Sequence, residues 1–270
     1  MQTTAWLRHS DREERKGLGQ ESVNTTPVEF HDGVWFKRDD YFTVAGVCGG
    51  KTRTCWALAQ GAKGLVTAGS RSSPQVNIVA QIAKHLKVPC RIHTPTGALF
   101  PEVQAAVDAG AELVQHPAGY NNVIIARARE DAFKRGWTNI PFGMTCLEAV
   151  RQTRAQVINI PKEVKRLVIP VGSGMSLAGI LNGLRSEKRD TPILAVSVGA
   201  GPEKRLNSFA PYGWQARIKL VASSLAYHTE AKETVLCGVQ LDPIYEAKCI
   251  PFVQPGDLFW IVGIRQTVKQ

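Results

Sequence analysis

From Gly64 onward, short apolar runs alternate with stretches of helical periodicity, and this alternation restricts the fold more than any other feature. The runs stand at Gly64–Thr67, Cys90–His93, Glu112–Gln115, Arg166–Val171, Ile193–Val198 and Leu258–Gly263. Helices are expected at Thr52–Gln60, Pro74–Leu86, Pro101–Ala109, Asn121–Arg135, Leu147–Ile158 and Leu177–Leu184. The expectation is an α/β chain with mostly parallel sheet. Upstream, TPVEFHDGVWFKRDDYF suggests an extended hairpin turning at His31, Asp32 and Gly33. The stretch GWTNIPFGM, 136–144, suggests a break between two α/β lobes, residues 46–143 and residues 1–45 plus 144–270.

The chain of 270 residues is long enough for one large domain or two small ones. It carries 33 Lys and Arg against 23 Asp and Glu, a formal net charge of +10. That balance favours contact with polyanions, nucleic acid first, although no homeodomain, zinc-finger or RNA-recognition signature accompanies it. The six cysteines are scattered without a CxxC pair, so neither a disulfide framework nor structural zinc is expected, and a reducing cytoplasm fits. No apolar run reaches membrane-spanning length, and MQTTAWLRHSDREERKG has no apolar signal core.

Three stretches carry chemistry. In VCGGKTRTCWALAQ, Gly49 and Gly50 form a tight turn and Lys51 stands where a helix begins. The positive end of the helix dipole eases formation of the neutral amine that a nucleophilic lysine needs. A lysine that merely snorkels to solvent explains the same residue. In IPVGSGMSLAGILNGL, an apolar strand runs through Gly172, Ser173, Gly174, Met175 and Ser176 into a helix. Small residues there leave backbone N–H groups open to a phosphate. The stretch is neither a Walker A loop nor a dinucleotide fingerprint, since Leu177 replaces the third glycine. A ligand-free glycine-rich turn is the other reading. In VTAGSRSSPQVNIVAQIAKHL, Ser70, Arg71 and Ser72 offer an edge suited to a carboxylate, while Ser72 or Ser73 caps the helix that starts at Pro74.

Together with TPVEFHDGVWFKRDD and LDPIYEAK, these stretches occur in an order that resembles the fold type II, tryptophan-synthase-β-like family of pyridoxal phosphate enzymes. The aminocyclopropane-carboxylate deaminase and D-cysteine desulfhydrase branch is the most similar. The resemblance implies two lobes, each a mostly parallel sheet flanked by helices, and pyridoxal 5'-phosphate as cofactor. It makes Lys51 the lysine bonded to the cofactor, residues 172–176 the phosphate loop and Ser72 the carboxylate-loop serine. It places Tyr245 near the cofactor as a second proton-handling group. Three positions depart from the family: Met175 stands for glycine, Ser73 for the asparagine that bonds the ring hydroxyl, and Val262 for the hydroxyl residue beside the ring nitrogen.

The basic charge also resembles phage-encoded members of this fold that tailor hypermodified thymines in DNA. That likeness implies cleavage of a Cα bond, by decarboxylation, in an amino acid attached to a DNA base. Arg127–Arg135, Arg151–Arg154 and Lys204–Lys219 are candidate contacts to the nucleic-acid backbone, in the host cytoplasm if the chain is phage-encoded. The alternatives are a lyase or deaminase of a free small amino acid, and a catalytically inactive nucleic-acid-binding homologue. The family further implies a homodimer.

Overall fold

The computed structural model describes residues 25–263 apart from residues 118, 120 and 200. The N-terminal segment read above for a signal core lies outside them. β1 (Val28–His31) and β2 (Val34–Arg38) pair antiparallel across Asp32 and Gly33, both at positive φ. Asp-Gly suits that turn, whose two central residues must enter the left-handed region. A ribbon of β3 (Thr43–Val44) and β4 (Val47–Cys48) leads into helix α1 (Gly50–Ala59). The helix begins at Gly50 rather than Thr52, so Lys51 lies within its first turn.

The next elements are β5 (Leu65–Ala68), α2 (Pro74–Leu86), β6 (Cys90–Pro95), α3 (Pro101–Asp108), β7 (Glu112–His116), α4 (Asn121–Arg135) and β8 (Thr138–Ile140). Their strands form a parallel sheet in the order β7-β6-β5-β8. β8 lies in the stretch that reads as a break. It pairs with β5, and Trp137 packs so tightly on Gly64 that a Cβ there would fall 2.3 Å from the indole.

The chain continues through α5 (Leu147–Ala155), β9 (Arg166–Val171), α6 (Met175–Ser186), β10 (Ile193–Ser197), α7 (Glu203–Phe209) and β11 (Ile218–Ala222). A ribbon of β12 (Val235–Leu236) and β13 (Val239–Gln240) precedes the last strand, β14 (Asp257–Ile261). The larger sheet has the order β1-β2-β14-β9-β10-β11 and is parallel except between β1 and β2. Strands β5 and β14 are buried at every residue, as a parallel sheet covered on both faces requires. One cluster of buried side chains runs from Leu65 and Ile92 of the smaller sheet, through Val150 and Ile180 of the helices, to Leu167 and Trp260 of the larger. None of the described helices is long and apolar enough to cross a membrane.

Strand β2 also buries a lysine. Lys37 is 0% exposed and donates to the Thr26 carbonyl at 2.6 Å and to Asn159 Oδ1 at 2.8 Å. Burial pushes its pKa down to about 8, against the pull of Asp39 and with help from Arg53. Between about pH 8 and 10.5 the unfolded chain therefore holds more protons at this site than the folded one, and stability from Lys37 rises with pH. The difference in unfolding free energy between the wild type and Lys37→Met should climb across that interval. At ~1.4 kcal/mol per unit, the climb is at most about 3.5 kcal/mol. Urea titrations of both proteins at several pH values measure it, and a difference that stays flat refutes the assignment.

Candidate active site

Lys51 is exposed, and it lines a cavity of about 770 Å3 bordered by the C-terminal ends of both sheets. Its helix start is fixed by backbone contacts on three sides. The Gly49 N–H donates to the Phe42 carbonyl and the Gly50 N–H to the Val262 carbonyl, both at 2.9 Å. The Thr52 hydroxyl donates to the Cys48 carbonyl at 2.7 Å. Gly49, at φ +98, has no space for a side chain, because a Cβ would fall 2.8 Å from both Gly263 Cα and the Val262 carbonyl oxygen. Behind the turn, Arg53 grips Asp39 through two hydrogen bonds of 3.1 and 2.8 Å, both residues being buried. Asp39 also accepts from the Trp260 indole at 3.0 Å and the Thr26 hydroxyl at 2.8 Å.

Gly172, Ser173, Gly174, Met175 and Ser176 all line the same cavity. Gly174 is the N-cap of α6 at φ +84 and offers no capping side chain, so the first N–H groups of the helix have no intrahelical acceptor. Helix dipole and open donors together make an anion cradle. Met175, in the position where glycine is usual, turns its side chain into the core and is only 3% exposed. Against the cradle stands Tyr245, whose hydroxyl would lie 2.9 Å from a Cβ at Gly172 and donates to the Pro170 carbonyl at 3.4 Å. Asp242 Oδ1 accepts the Ile244 and Tyr245 N–H groups at 2.9 Å and so sets the ring's position. Burial, reinforced by neighbouring Glu246, pushes the Tyr245 phenol well above its ordinary pKa and keeps it protonated.

On the third side, residues 70–73 form a turn closed by the Ser73 N–H donating to the Ser70 carbonyl at 3.0 Å. Ser73 is the hydroxyl that caps α2, accepting from the Gln75 N–H at 3.3 Å. Ser70 and Ser73 line the cavity, whereas Arg71 and Ser72 are not among its lining residues. Arg71 instead reaches the Ala98 carbonyl at 3.4 Å and stacks over Phe100, filling the space a Gly97 Cβ would need. Val262 lines the cavity and contributes through its backbone: its carbonyl accepts from Gly50 and its N–H donates to Glu246.

Glu246 is a residue the sequence reading passes over. It is fully buried, and its Oε1 accepts the Val262 and Gly263 N–H groups at 3.2 Å. Its Oε2 is buried without a hydrogen-bond partner among the described residues. Burial and then Asp242 push this carboxyl well above its usual pKa, so it holds a proton. Its signal was its place beside Tyr245 in LDPIYEAK. Asn77 lines the cavity one helical turn beyond Ser73, with Gln81 donating to its Oδ1 at 3.1 Å. Arg205, from the basic tract 204–219, and Tyr227, which no local pattern marks, line it too. Among the basic tracts, Arg127, Lys134, Arg135 and Arg151 are paired with Glu130, Asp131 and Glu148 on their own helices.

Comparison with known proteins bears on this arrangement. The profile of the family described as "Pyridoxal-phosphate dependent enzyme" matches residues 23–235. A curated protein of Salmonella phage ViI, "O-seryl-dTMP PLP-dependent decarboxylase", is 25% identical over 210 residues, 65% of this chain. The chain spans about half, 49%, of that relative's length. Among solved structures, an "ACC deaminase homologue" superposes with a TM-score of 0.74 at 22% identity, covering 88% of this chain and 89% of the other. Threonine deaminase isoform 2 from Solanum lycopersicum gives 0.61 at 16% identity, covering 90% and 84%. At such identities the two structures show the shared fold.

Proposed function

The chain belongs to the family of pyridoxal-phosphate dependent enzymes, and from that premise we propose that it decarboxylates an amino acid carried on a modified thymine of DNA. The observation that carries the enzymatic reading is the meeting of Lys51, the glycine cradle and Tyr245 in one cavity. The activity named for the phage relative and the formal net charge of +10 support the substrate.

The residues present fit pyridoxal 5'-phosphate. Lys51 presents the amine, and the uncapped start of α6 supplies N–H donors for the phosphate. Glu246 is bonded through Oε1 to the backbone of the cavity-lining Val262, and its buried Oε2 has no hydrogen-bond partner among the described residues. Asn77 and Ser73 offer polar groups for the ring hydroxyl. When bound, the cofactor supplies an electron sink for the pair left by a broken Cα bond.

The protein's own groups then divide the work. Lys51 carries a proton to or from Cα as general acid–base. Tyr245, held protonated beside the cradle, is the second donor. Ser70, on its turn, receives the substrate carboxylate, and the way that carboxylate is held decides which Cα bond breaks. A thymine-borne adduct must leave the base stack to enter the cavity.

The reading is tested by carbon dioxide release. The cofactor-loaded enzyme should release it from a seryl–thymidylate adduct and leave free D-cysteine and aminocyclopropane carboxylate unchanged. Turnover of the free amino acids alone would transfer the enzyme to the lyase or deaminase class. Failure to take up cofactor would leave an inactive nucleic-acid-binding homologue.

A further inference from the structure

We infer that Arg205 is the anchor for a second anion in the active cavity, a phosphate of the substrate, distinct from the phosphate that the α6 cradle holds. This rests on the nucleotide reading above. Arg205 lies on α7 and lines the cavity beside Ser173. Its Nε donates to Thr145 Oγ1 at 3.0 Å, and Thr145 is itself fixed by donating to the Phe142 carbonyl at 3.0 Å. Nη1 approaches the Ser173 carbonyl at 3.5 Å, and Nη2 lies 3.9 Å from the place of a Gly143 Cβ. So the planar group is held by one neutral hydroxyl at its inner edge, while its outer N–H groups meet at most a long contact to a carbonyl.

No carboxylate among the described residues pairs with Arg205, whereas Arg127, Arg135 and Arg151 on helix surfaces each have an acidic partner three or four residues away. Glu203 shares its helix, but its carboxylate lies against Gly201. A half-buried guanidinium facing a cavity with its charge uncompensated is suited to a planar, bidentate partner such as phosphate.

The direction of approach separates this charge from the cradle. In a trans peptide the carbonyl and the following N–H point opposite ways. Arg205 occupies the carbonyl side of the Ser173–Gly174 peptide, so the Gly174 N–H faces away from it. An anion on that N–H and an anion on the guanidinium therefore lie on opposite sides of the loop. Gly143 keeps the guanidinium's side open, since its own space is bounded by Ser173 and Arg205. The site would take a phosphomonoester of a nucleotide or a backbone phosphate of DNA, both of which present at least two non-bridging oxygens to a guanidinium.

The test compares thymidine 5'-monophosphate with thymidine as ligands of the cofactor-loaded protein, by calorimetry, for wild type, Arg205→Lys and Arg205→Gln. Wild type should bind the nucleotide at least tenfold more tightly than the nucleoside. Arg205→Gln should erase most of that gap with thymidine affinity kept, and Arg205→Lys should retain part of it. The affinity of each variant for pyridoxal phosphate should stay within twofold. A short oligonucleotide in place of the monophosphate separates the diester source from the monoester.

A phosphate preference that survives in Arg205→Gln overturns the inference. So does a parallel loss of pyridoxal phosphate affinity, which would assign Arg205 to the cofactor. If wild type binds neither thymidine nor its phosphate, the nucleotide reading fails, and inorganic phosphate then decides Arg205 on its own. Saturable binding of inorganic phosphate by wild type and not by Arg205→Gln keeps the anion site, whereas equal binding by both removes it.

Discussion

Lys51→Ala is expected to abolish the borohydride-reducible bond between protein and cofactor and to lower turnover about a thousandfold or more. The second figure follows from the 10²–10⁴-fold typical of a positioned general acid–base group, before the lost attachment is counted. The structure makes the lysine replaceable without harm to the fold. Lys51 is exposed, and the backbone of its helix start is held through Gly49, Gly50, Thr52 and Arg53. Thermal stability should therefore stay close to wild type, which separates a chemical loss from a structural one. Visible absorption before and after borohydride, followed by mass analysis of the peptide containing residue 51, reads the bond. A small primary amine added to the variant should restore part of the turnover, because the missing group is one amine facing an open cavity. A band that survives in Lys51→Ala and bleaches with borohydride would move the attachment to another lysine and sink the assignment.

The reach of the sequence is visible in these same residues. Arg166–Val171, Pro74–Leu86 and Asn121–Arg135 appear in the structure at the limits their patterns indicate, because doubly covered strands read as unbroken apolar runs and Pro74 marks a helix start. Sheet order is a different matter. Strand β14 slots between β2 and β9, and the turn bearing Lys51 leans on its end, through pairings no local pattern encodes. Strand β8 has only three residues and was hidden by its flanking Gly and Pro. Short α7 and strand β11, whose apolar run is broken by Lys219, were not read as elements, although Arg205 falls in the basic tract 204–219. Ser72 and Ser73 are chemically alike, so only the turn geometry decides that Ser73 caps the helix while Ser72 stays off the cavity wall. Val262 reads as a lost hydrogen bond. In the fold its backbone is what counts, and the polar atom beside it comes from Glu246, sixteen positions earlier in the chain.

Arg53→Ala should cost about 3–5 kcal/mol of folding free energy, the usual penalty for removing one member of a buried ion pair. Asp39 is 2% exposed and Arg53 4%, so water cannot replace the lost guanidinium. The carboxylate would keep the Trp260 indole and the Thr26 hydroxyl, which is why the loss falls short of that of a bare buried charge. Against a total of roughly 5–15 kcal/mol for a typical domain, the change is large. Arg53→Lys should lie between, because an ammonium cannot repeat the two-pronged contact. Arg53→Met combined with Asp39→Asn should recover much of the deficit by removing both charges together. Urea unfolding without cofactor measures each value as a shift in midpoint at constant slope. Leaving the cofactor out matters, since a ligand bound only to the folded state adds stability that depends on its concentration. The same substitution should weaken cofactor uptake, because Arg53 lies two residues beyond Lys51 in the same helix and anchors its start. A midpoint shift worth under about 1 kcal/mol, typical of an exposed pair, would show that the Asp39 contact does not anchor the lysine-bearing helix.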